Sequence, residues 1–396
     1  MLDNQTVSIL LSLSCIEVTE VVLEKGKIEI KCESILGESM CPNCLSKTSK
    51  TNQKSVKTVR DLPLLGREVY LEITVRQYVC ENCNRHFNEK FDFIEEHNLM
   101  TKRMAKYLYE CAKKESVEHI CGRENIQWKT MQNIFEKYSN QDIKELRKRV
   151  VKKIGMDEFA IKKGKNNYAV VLVDLETGMV IDVLEDREKA AIIAYFKEKG
   201  QEYCDQIEVF SCDMWEGFSN AAKELFPNAD VVIDRFHFFH HLNQVLDRER
   251  RRLRKKYPNE EKIKNIKWLL YKKWDNLESE EKQALLKAFR YSKELRNLYF
   301  LKNELVNIFD SEISKEAAEQ ICGEWIIHAQ SLNNASMNIF LKTFSFWKND
   351  VLNFFTHRVS NGIVEGINNV IKMIKRRAFG FRNFLNFRAK IMVYFF

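Results

Sequence analysis

Two Cys-x-x-Cys pairs, Cys41/Cys44 and Cys80/Cys83, stand either side of a 35-residue insert, 45 to 79. A pair so spaced hangs two thiols from one tight turn, and two pairs complete a tetrahedral four-sulfur site for a single structural zinc ion. Whatever lies between them must therefore double back. Val69 to Val79 has the apolar/polar alternation of a hairpin strand, which would return the second pair to the first. His86 offers an alternative ligand. No coordination position is left open, so this zinc is read as structural rather than catalytic. With no secretion signal, the 11 cysteines need form no disulfides. The apolar stretch Val7 to Cys15 is too short to span a bilayer, so no membrane partner and a cytoplasmic location are expected.

At 396 residues the chain calls for two to four domains. Only 4 Pro and 13 Gly favour long helices and tightly joined domains. The net charge of +8 is modest, but the basic residues arrive in clusters, as phosphate-binding surfaces require. Residues 1–40 read as strands, Ile16 to Val22 and Lys27 to Lys31. From Thr101 the period turns helical: Met104, Leu108, Cys111 and Ala112 share a face, Val117, Ile120 and Cys121 follow, and Gly122 marks a break. A further helix, Ile126 to Tyr138, turns Met131, Ile134 and Phe135 inward and Gln127, Lys129, Thr130, Gln132 and Asn133 outward. This is the outline of a helix-turn-helix whose second helix presents polar residues to a DNA groove.

Residues 154–240 read as α/β. Strands are expected at Ile154–Ala160, Tyr168–Asp174, Met179–Leu184, Ile207–Cys212 and Asp230–Ile233, with helices over Glu188–Lys199 and Glu216–Phe226. Three meandering strands followed by strand-helix-strand is the order of a ribonuclease-H-like core, in which the first and fourth strands are neighbours. Asp157 interrupts the first apolar run and Asp213 ends the fourth. Buried acids are costly unless paired or holding a metal. These two would lie side by side, with Glu158 directed to the opposite face and Asp174 in a strand-end turn.

Residues 241–356 break into this core with helical sequence, for which Trp268, Trp274, Trp325 and Trp347 supply a separate core. The basic run Asp247 to Lys256, with Arg250, Arg251 and Arg254, suits phosphate contact. In the last segment Ile363, Ile367, Val370 and Ile374 form an apolar stripe, and Glu365, Asn368, Lys372 and Arg376 a polar one. Residues 371–390, including Lys372, Arg376 and Arg377, are basic without an acid and interleave Phe379, Phe381, Phe384 and Phe387, a mixture for packing and backbone-phosphate contact. The chain stops on the apolar Ile391 to Phe396, so either a final helix is buried or the reading frame is cut short.

The expected fold is multidomain α+β: strands and a zinc-ribbon-like module over 1–98, a helix-turn-helix over 99–150, and the first part of a ribonuclease-H-like core over 151–241. An all-α insertion over 242–356 and a core completion over 357–396 follow. Asp157, Asp213 and Glu365 would converge on two magnesium or manganese ions, hard cations that prefer carboxylate oxygens, for phosphoryl transfer on DNA.

The chain resembles the transposases of the ISL3 group of bacterial insertion sequences, members of the Asp-Asp-Glu superfamily. The resemblance rests on Gly155-Met-Asp-Glu-Phe159 with Lys163-Gly164, Cys212-Asp-Met214, Phe226-Pro-Asn-Ala229, Asp234-Arg-Phe-His237, Ser360-Asn-Gly-Ile-Val-Glu-Gly-Ile-Asn368 and Lys375-Arg-Arg-Ala-Phe-Gly-Phe381. It implies a ribonuclease-H-like catalytic domain, binding of terminal inverted repeats, and DNA cleavage followed by strand transfer, in a bacterial protein that joins the nucleoid when bound to DNA. It implies Asp157, Asp213 and Glu365 as the metal-binding triad. Asp234 is the rival for the second acid, and Asp234 and His237 otherwise act as positioning groups. A homodimer on DNA is implied by the need to hold two ends together. The competing readings are an inactive DNA-binding regulator or relic, and a nuclease without strand transfer.

Overall fold

The computed structural model describes residues 3–95, 98–162, 167–378 and 383–396. Lys163, Gly164, Phe379 and Phe381, named above, lie outside the described residues. The chain divides into two compact units, Met1–Ile143 and Lys144–Phe396.

The first unit opens with a helix rather than a strand, α1 (Asn4–Leu11), because the Asp3 carboxylate caps it by accepting from the Thr6 amide at 2.7 Å. Then come β1 (Ile16–Glu24), β2 (Lys27–Ser34), the short β3 (Ser39–Met40) and β4 (Lys47–Thr48), the long hairpin β5 (Thr51–Leu64) and β6 (Arg67–Val79), and β7 (His86–Asn88). The sheet order is β1-β2-β6-β5, with β7 also on β6. Alternation on β6 buries Val69, Leu71, Ile73 and Val75 against Ile28, Ile30 and Val59. Three helices follow: α2 (Lys102–Lys114), α3 (Val117–Glu124) and α4 (Trp128–Leu146). Thr101 and Ser116 cap the first two. The break falls at Asn125 and not at Gly122: α3 runs through the glycine and ends where Asn125 takes φ +50, a left-handed conformation that asparagine tolerates.

The second unit is built on β8 (Lys153–Ala160), β9 (Tyr168–Asp174), β10 (Val180–Leu184), α5 (Lys189–Lys199), α6 (Gln201–Asp205), β11 (Val209–Cys212), α7 (Glu216–Leu225) and β12 (Asp230–Ile233). Its sheet order is β10-β9-β8-β11-β12. The first three strands pair antiparallel, whereas β11 runs parallel to both β8 and β12. Helix α8 (Arg235–Lys256) is continuous across residue 242 and carries the chain from the sheet into helical sequence. That sequence forms α9 (Glu261–Lys264), α10 (Lys267–Tyr271), α11 (Ser279–Phe289), α12 (Lys293–Asp310), α13 (Lys315–Ser331), α14 (Ala335–Leu352) and α15 (Phe354–His357). The chain returns with α16 (Gly362–Arg377) and α17 (Phe384–Tyr394).

The helical region has no separate core. One apolar cluster runs from Met156 and Phe210 in the sheet, through Phe238 and Leu242 of α8, to Phe309, Trp325, Phe344 and Trp347. Phe238 is the junction, with ring centroids 5.4 Å from Phe309 and 4.9 Å from Phe344. Trp274 is only partly buried, and Trp268 is 67% exposed, so it contributes no core bulk.

Helix α16 buries Val364, Ile367, Ile371 and Ile374, a stripe rotated from the expected one, and leaves Ile363 exposed. The rotation follows from close approach. A Cβ on Gly155 of β8 would stand 2.8 Å from Val364 Cγ2 and 2.6 Å from Leu175 Cδ2, so the glycine lets α16 settle on the strand. Helix α17 sinks Phe387, Ile391, Met392 and Val393, with Phe387 edge-on to Phe159 at 6.1 Å, while Phe396 is exposed.

Candidate active site and zinc site

In the first unit the two cysteine turns have the same construction. The Cys41 amide donates to Ser46 O at 2.9 Å and the Cys80 amide to Arg85 O at 2.9 Å. The fifth residue of each turn, Leu45 or Asn84, takes positive φ, +59 and +55. All four Sγ atoms lie within 4.8 Å of one another, with Cys41–Cys83 at 3.6 Å and Cys44–Cys80 at 3.4 Å. Thiolates about 2.3 Å from a tetrahedral zinc stand about 3.8 Å apart, so the cluster fits that ion. The Ser46 hydroxyl and amide, then Cys80, hold Cys44 well below the ordinary thiol range, whereas at Cys80 the lowering by the Cys83 amide is outweighed by burial and the Cys44 thiol, which push it up to about 11. His86 is exposed on β7 and outside the cluster.

In the second unit the sheet register positions the acids. Ser211 of β11 lies opposite Gly155 of β8, and Asp213, just past the end of β11, is close enough for its charge to act on Asp157. Asp157 Oδ1 accepts from the Glu158 amide at 2.8 Å, and its Oδ2 from Asn368 Nδ2 at 2.6 Å. Burial, and next the charge of Asp213, push Asp157 up to about 6.

Asp234 ends β12 and begins α8. Its Oδ1 accepts from the Asn361 amide at 3.2 Å, tying the start of α16 to the strand. Its Oδ2 lies 3.1 Å from His237 Nδ1, and Asp213 Oδ1 lies 2.8 Å from the same nitrogen. Nδ1 carries one hydrogen and serves one carboxylate at a time; the hydrogen-bond geometry selects Asp234, leaving Asp213 Oδ1 buried with a charge partner but no donor. Burial alone would lower His237, yet Asp213 and Asp234 raise it to about 10, so an imidazolium sits between them.

The buried amide oxygens of Asn361 and Asn368 also lack a donor. Oxygens of this kind, beside the carboxylates of Asp157 and Asp213, fit a hard divalent cation, which binds oxygen and repays their desolvation. Asp213, Asp234 and His237 lie within 4.8 Å of one another. Glu365 is in the first turn of α16, between Asn361 and Asn368, which both reach the sheet. Its own carboxylate is exposed and makes no hydrogen bond or ion pair among the described residues. Asn368, not Glu365, touches Asp157.

Glu158, as expected from strand alternation, turns from Asp157 and pairs with Arg187 at 2.6 Å. Asp174 closes its turn by accepting from Glu176 N at 3.0 Å and Thr177 Oγ1 at 2.6 Å. A cavity of about 250 Å³ opens beside Asp213 and His237. The sequence reading missed Asn361, which sat unremarked in the motif, and the role of Asn368, which the polar stripe of α16 contained three residues after Glu365. It also missed Arg187 and Trp215, for which no spacing signal exists.

Lys129 and Asn133 are exposed on α4 and Gln127 is exposed just before it, with Thr130 and Gln132 half-buried. Arg250 is not offered to solvent: it is buried, giving Asp247 Oδ1 bonds of 2.9 and 2.7 Å. Arg251 is exposed but pairs with Asp247 at 2.7 Å, and Arg254 is exposed. Lys372, Arg376 and Arg377 are exposed on α16. Arg388, from the stretch expected to serve phosphates, clamps the fully buried Asp182 at 2.5 and 2.6 Å instead.

Residues 154–391 match the ISL3 transposase family model, and residues 38–83 match a model described as the zinc-finger of transposase IS204/IS1001/IS1096/IS1165. The chain is 27% identical over 359 residues to the transposase for insertion sequence element IS1001 of Bordetella parapertussis, covering 88% of each. It is 26% identical over 293 residues to the transposase for insertion sequence element IS1557 of Mycobacterium tuberculosis, covering 67% of this chain and 65% of that one. No helix of the described residues is long and apolar enough to cross a membrane.

Proposed function

This chain belongs to the ISL3 family of insertion-sequence transposases, and from that premise we propose that it binds the terminal inverted repeats of its element and catalyses DNA cleavage and strand transfer by phosphoryl transfer. The observation that carries the reading is the pair Asp157, on β8, and Asp213, directly after the parallel β11, with Asp157 raised by burial and then by the charge of Asp213, and with the buried oxygens Asp213 Oδ1, Asn361 Oδ1 and Asn368 Oδ1 left without donors. The β10-β9-β8-β11-β12 order supports a ribonuclease-H-like core.

Asp157, Asp213 and Glu365 would hold two magnesium or manganese ions. When bound, such ions activate the attacking hydroxyl and stabilise the leaving oxygen. Asn368 orients Asp157 through its 2.6 Å bond. Asp234 spends its oxygens on the Asn361 amide and His237, which supports a positioning role for it and leaves Asp213 as the second ligand. His237 holds Asp213 in place from its other side. Glu365 reaches the site by rotation of a side chain that no hydrogen bond or ion pair restrains among the described residues. In the first unit α3 and α4 act as the helix-turn-helix, with Gln127, Lys129, Thr130, Gln132 and Asn133 toward DNA; Arg251, Arg254, Lys372, Arg376 and Arg377 meet phosphates. Two copies hold two ends.

The test uses duplexes carrying the inverted repeats that flank this gene. With Mg²⁺ or Mn²⁺ the protein cleaves at the ends and joins them to target DNA; Asp157→Asn, Asp213→Asn and Glu365→Gln bind the ends and do not cleave, while Asp234→Asn cleaves slowly. Cleavage by Asp157→Asn at the unaltered rate would overturn the assignment. A second reading, a DNA-binding regulator without activity, is favoured by the exposed Glu365 alone and predicts end binding without cleavage under every metal.

A further inference from the structure

The cavity beside Asp213 has a composition that phosphoryl transfer does not require. Trp215 and Phe218 give it aromatic wall, Glu158 and Arg187 a paired acceptor and donor, and His241 a further polar edge. Arg187 is already neutralised by Glu158 at 2.6 Å and lies over the Trp215 ring at 5.5 Å, and the His237 imidazolium is balanced by Asp213 at 2.8 Å and Asp234 at 3.1 Å, so the space has no unpaired cation to seat a phosphate. A flat, uncharged ring with polar edges matches it better. At about 250 Å³ it has room for one such ring, not for a stacked base pair.

Trp215 is also fixed relative to Asp213. The turn between them is closed by the Trp215 amide donating to Asp213 O at 2.7 Å. The indole stands edge-on to Phe218, with centroids 4.4 Å apart and planes at 82°. It lies so close over Gly217 that a Cβ there would meet its ring carbons at 2.9 to 3.1 Å. The sequence thus reserves a side-chain-free position for the indole beside the carboxylate.

Resting on the transposase reading, we propose that this cavity is a nucleobase subsite: one base of the DNA end, unstacked from the duplex, packs against Trp215 while the phosphate next to it is at Asp213. Glu158, Arg187 and His241 meet the edge of that base. The contact positions the scissile phosphate and makes cleavage depend on one base beside the cut.

The experiment is an abasic scan. Duplexes carrying the flanking inverted repeat, each lacking one base within three nucleotides of the cut, are cleaved by the unaltered protein, Trp215→Ala and Trp215→Phe with Mg²⁺. At one position, loss of the base should slow the unaltered protein roughly 5- to 150-fold, the range of one base–aromatic stack. Trp215→Ala should lose as much on intact DNA, and no more when that base is absent; Trp215→Phe should keep most of the rate. A merely structural tryptophan would give losses that multiply. No base-sensitive position, or multiplying losses, overturns the subsite while leaving the transposase standing. If the protein binds the ends but never cuts, the transposase reading falls, and the same scan read by affinity decides the subsite by the same criteria. Should Trp215→Ala not fold, Gly217→Ala displaces the indole without removing it and is expected to show the same loss and the same lack of multiplication.

Discussion

Asp157 is charged at neutral pH against its surroundings. With the folded-state value raised to about 6 from an ordinary 3.8, the folded chain binds the proton more tightly than the unfolded one. The stability this contributes is present below pH 4 and lost as pH rises through about 6. In chelated protein, Asp157→Asn should therefore gain stability relative to the unaltered chain across that window and hold on the order of 1–3 kcal/mol above it. Denaturant melts at pH 4, 5, 6 and 7 would show this, and a constant difference at all four would refute it. His237 has the same sign further along: its raised value stabilises fully below about pH 6.5 and is lost as pH passes about 10. Asp182 is fully buried and is paired by Arg388. Arg388→Ala leaves that carboxylate only the Val183 amide and the longer Arg147 contact at 3.8 Å, and should cost about 3–5 kcal/mol in a urea melt, most of it recovered by Asp182→Asn with Arg388→Met. A basic residue in a basic stretch reads as a phosphate contact from sequence, because charge is visible there and a distant buried partner is not.

At the scale of elements, α16 must lie against β8 for Asn368 to reach Asp157. Gly155→Ala would put a methyl within 3 Å of Val364 and Leu175, push the helix off the strand and break the Asn368 bond. Cleavage should fall sharply while end binding, measured by gel shift, stays. The zinc turns make the opposite kind of prediction. Leu45 bears a branched side chain at φ +59, a conformation costing a non-glycine residue about 1–2 kcal/mol. Leu45→Gly should keep one zinc equivalent and be neutral to stabilising by about 1 kcal/mol in thermal melts, since glycine's unfolded-state entropy offsets part of the gain. The order of the five strands from β8 to β12 was legible, Tyr168–Asp174 and Asp230–Ile233 to the residue, whereas α1, β3, β4, β5 and β7 were not. The rotation of α16 was not: Ile363 and Val364 are equally apolar, and only the notch at Gly155 chooses between them.

For the whole molecule, two units with their own apolar clusters make metal dependence divisible. Chelating zinc, or Cys41→Ser with Cys80→Ser, should remove one zinc equivalent and destabilise Met1–Ile143, while the cooperative transition of Lys144–Phe396 stays where it was. Proteolysis with mass spectrometry would read out which unit has opened. An equal loss of protection in both would show that the division does not hold.

The sequence by itself determined what local rules can determine: the zinc pairs, because ligand spacing is fixed by a turn; the strands and helices, because periodicity follows backbone geometry; and the pairing of Asp157 with Asp213, because strand order implies it. Tertiary structure alone decided which polar groups those acids meet. Asn361 and Asn368 return across more than 200 residues of chain to meet β8, Arg388 comes back to Asp182, and the helices after α8 share the sheet's core instead of forming their own. Each of these depends on packing between segments whose separation in sequence carries no period, so no spacing could announce it.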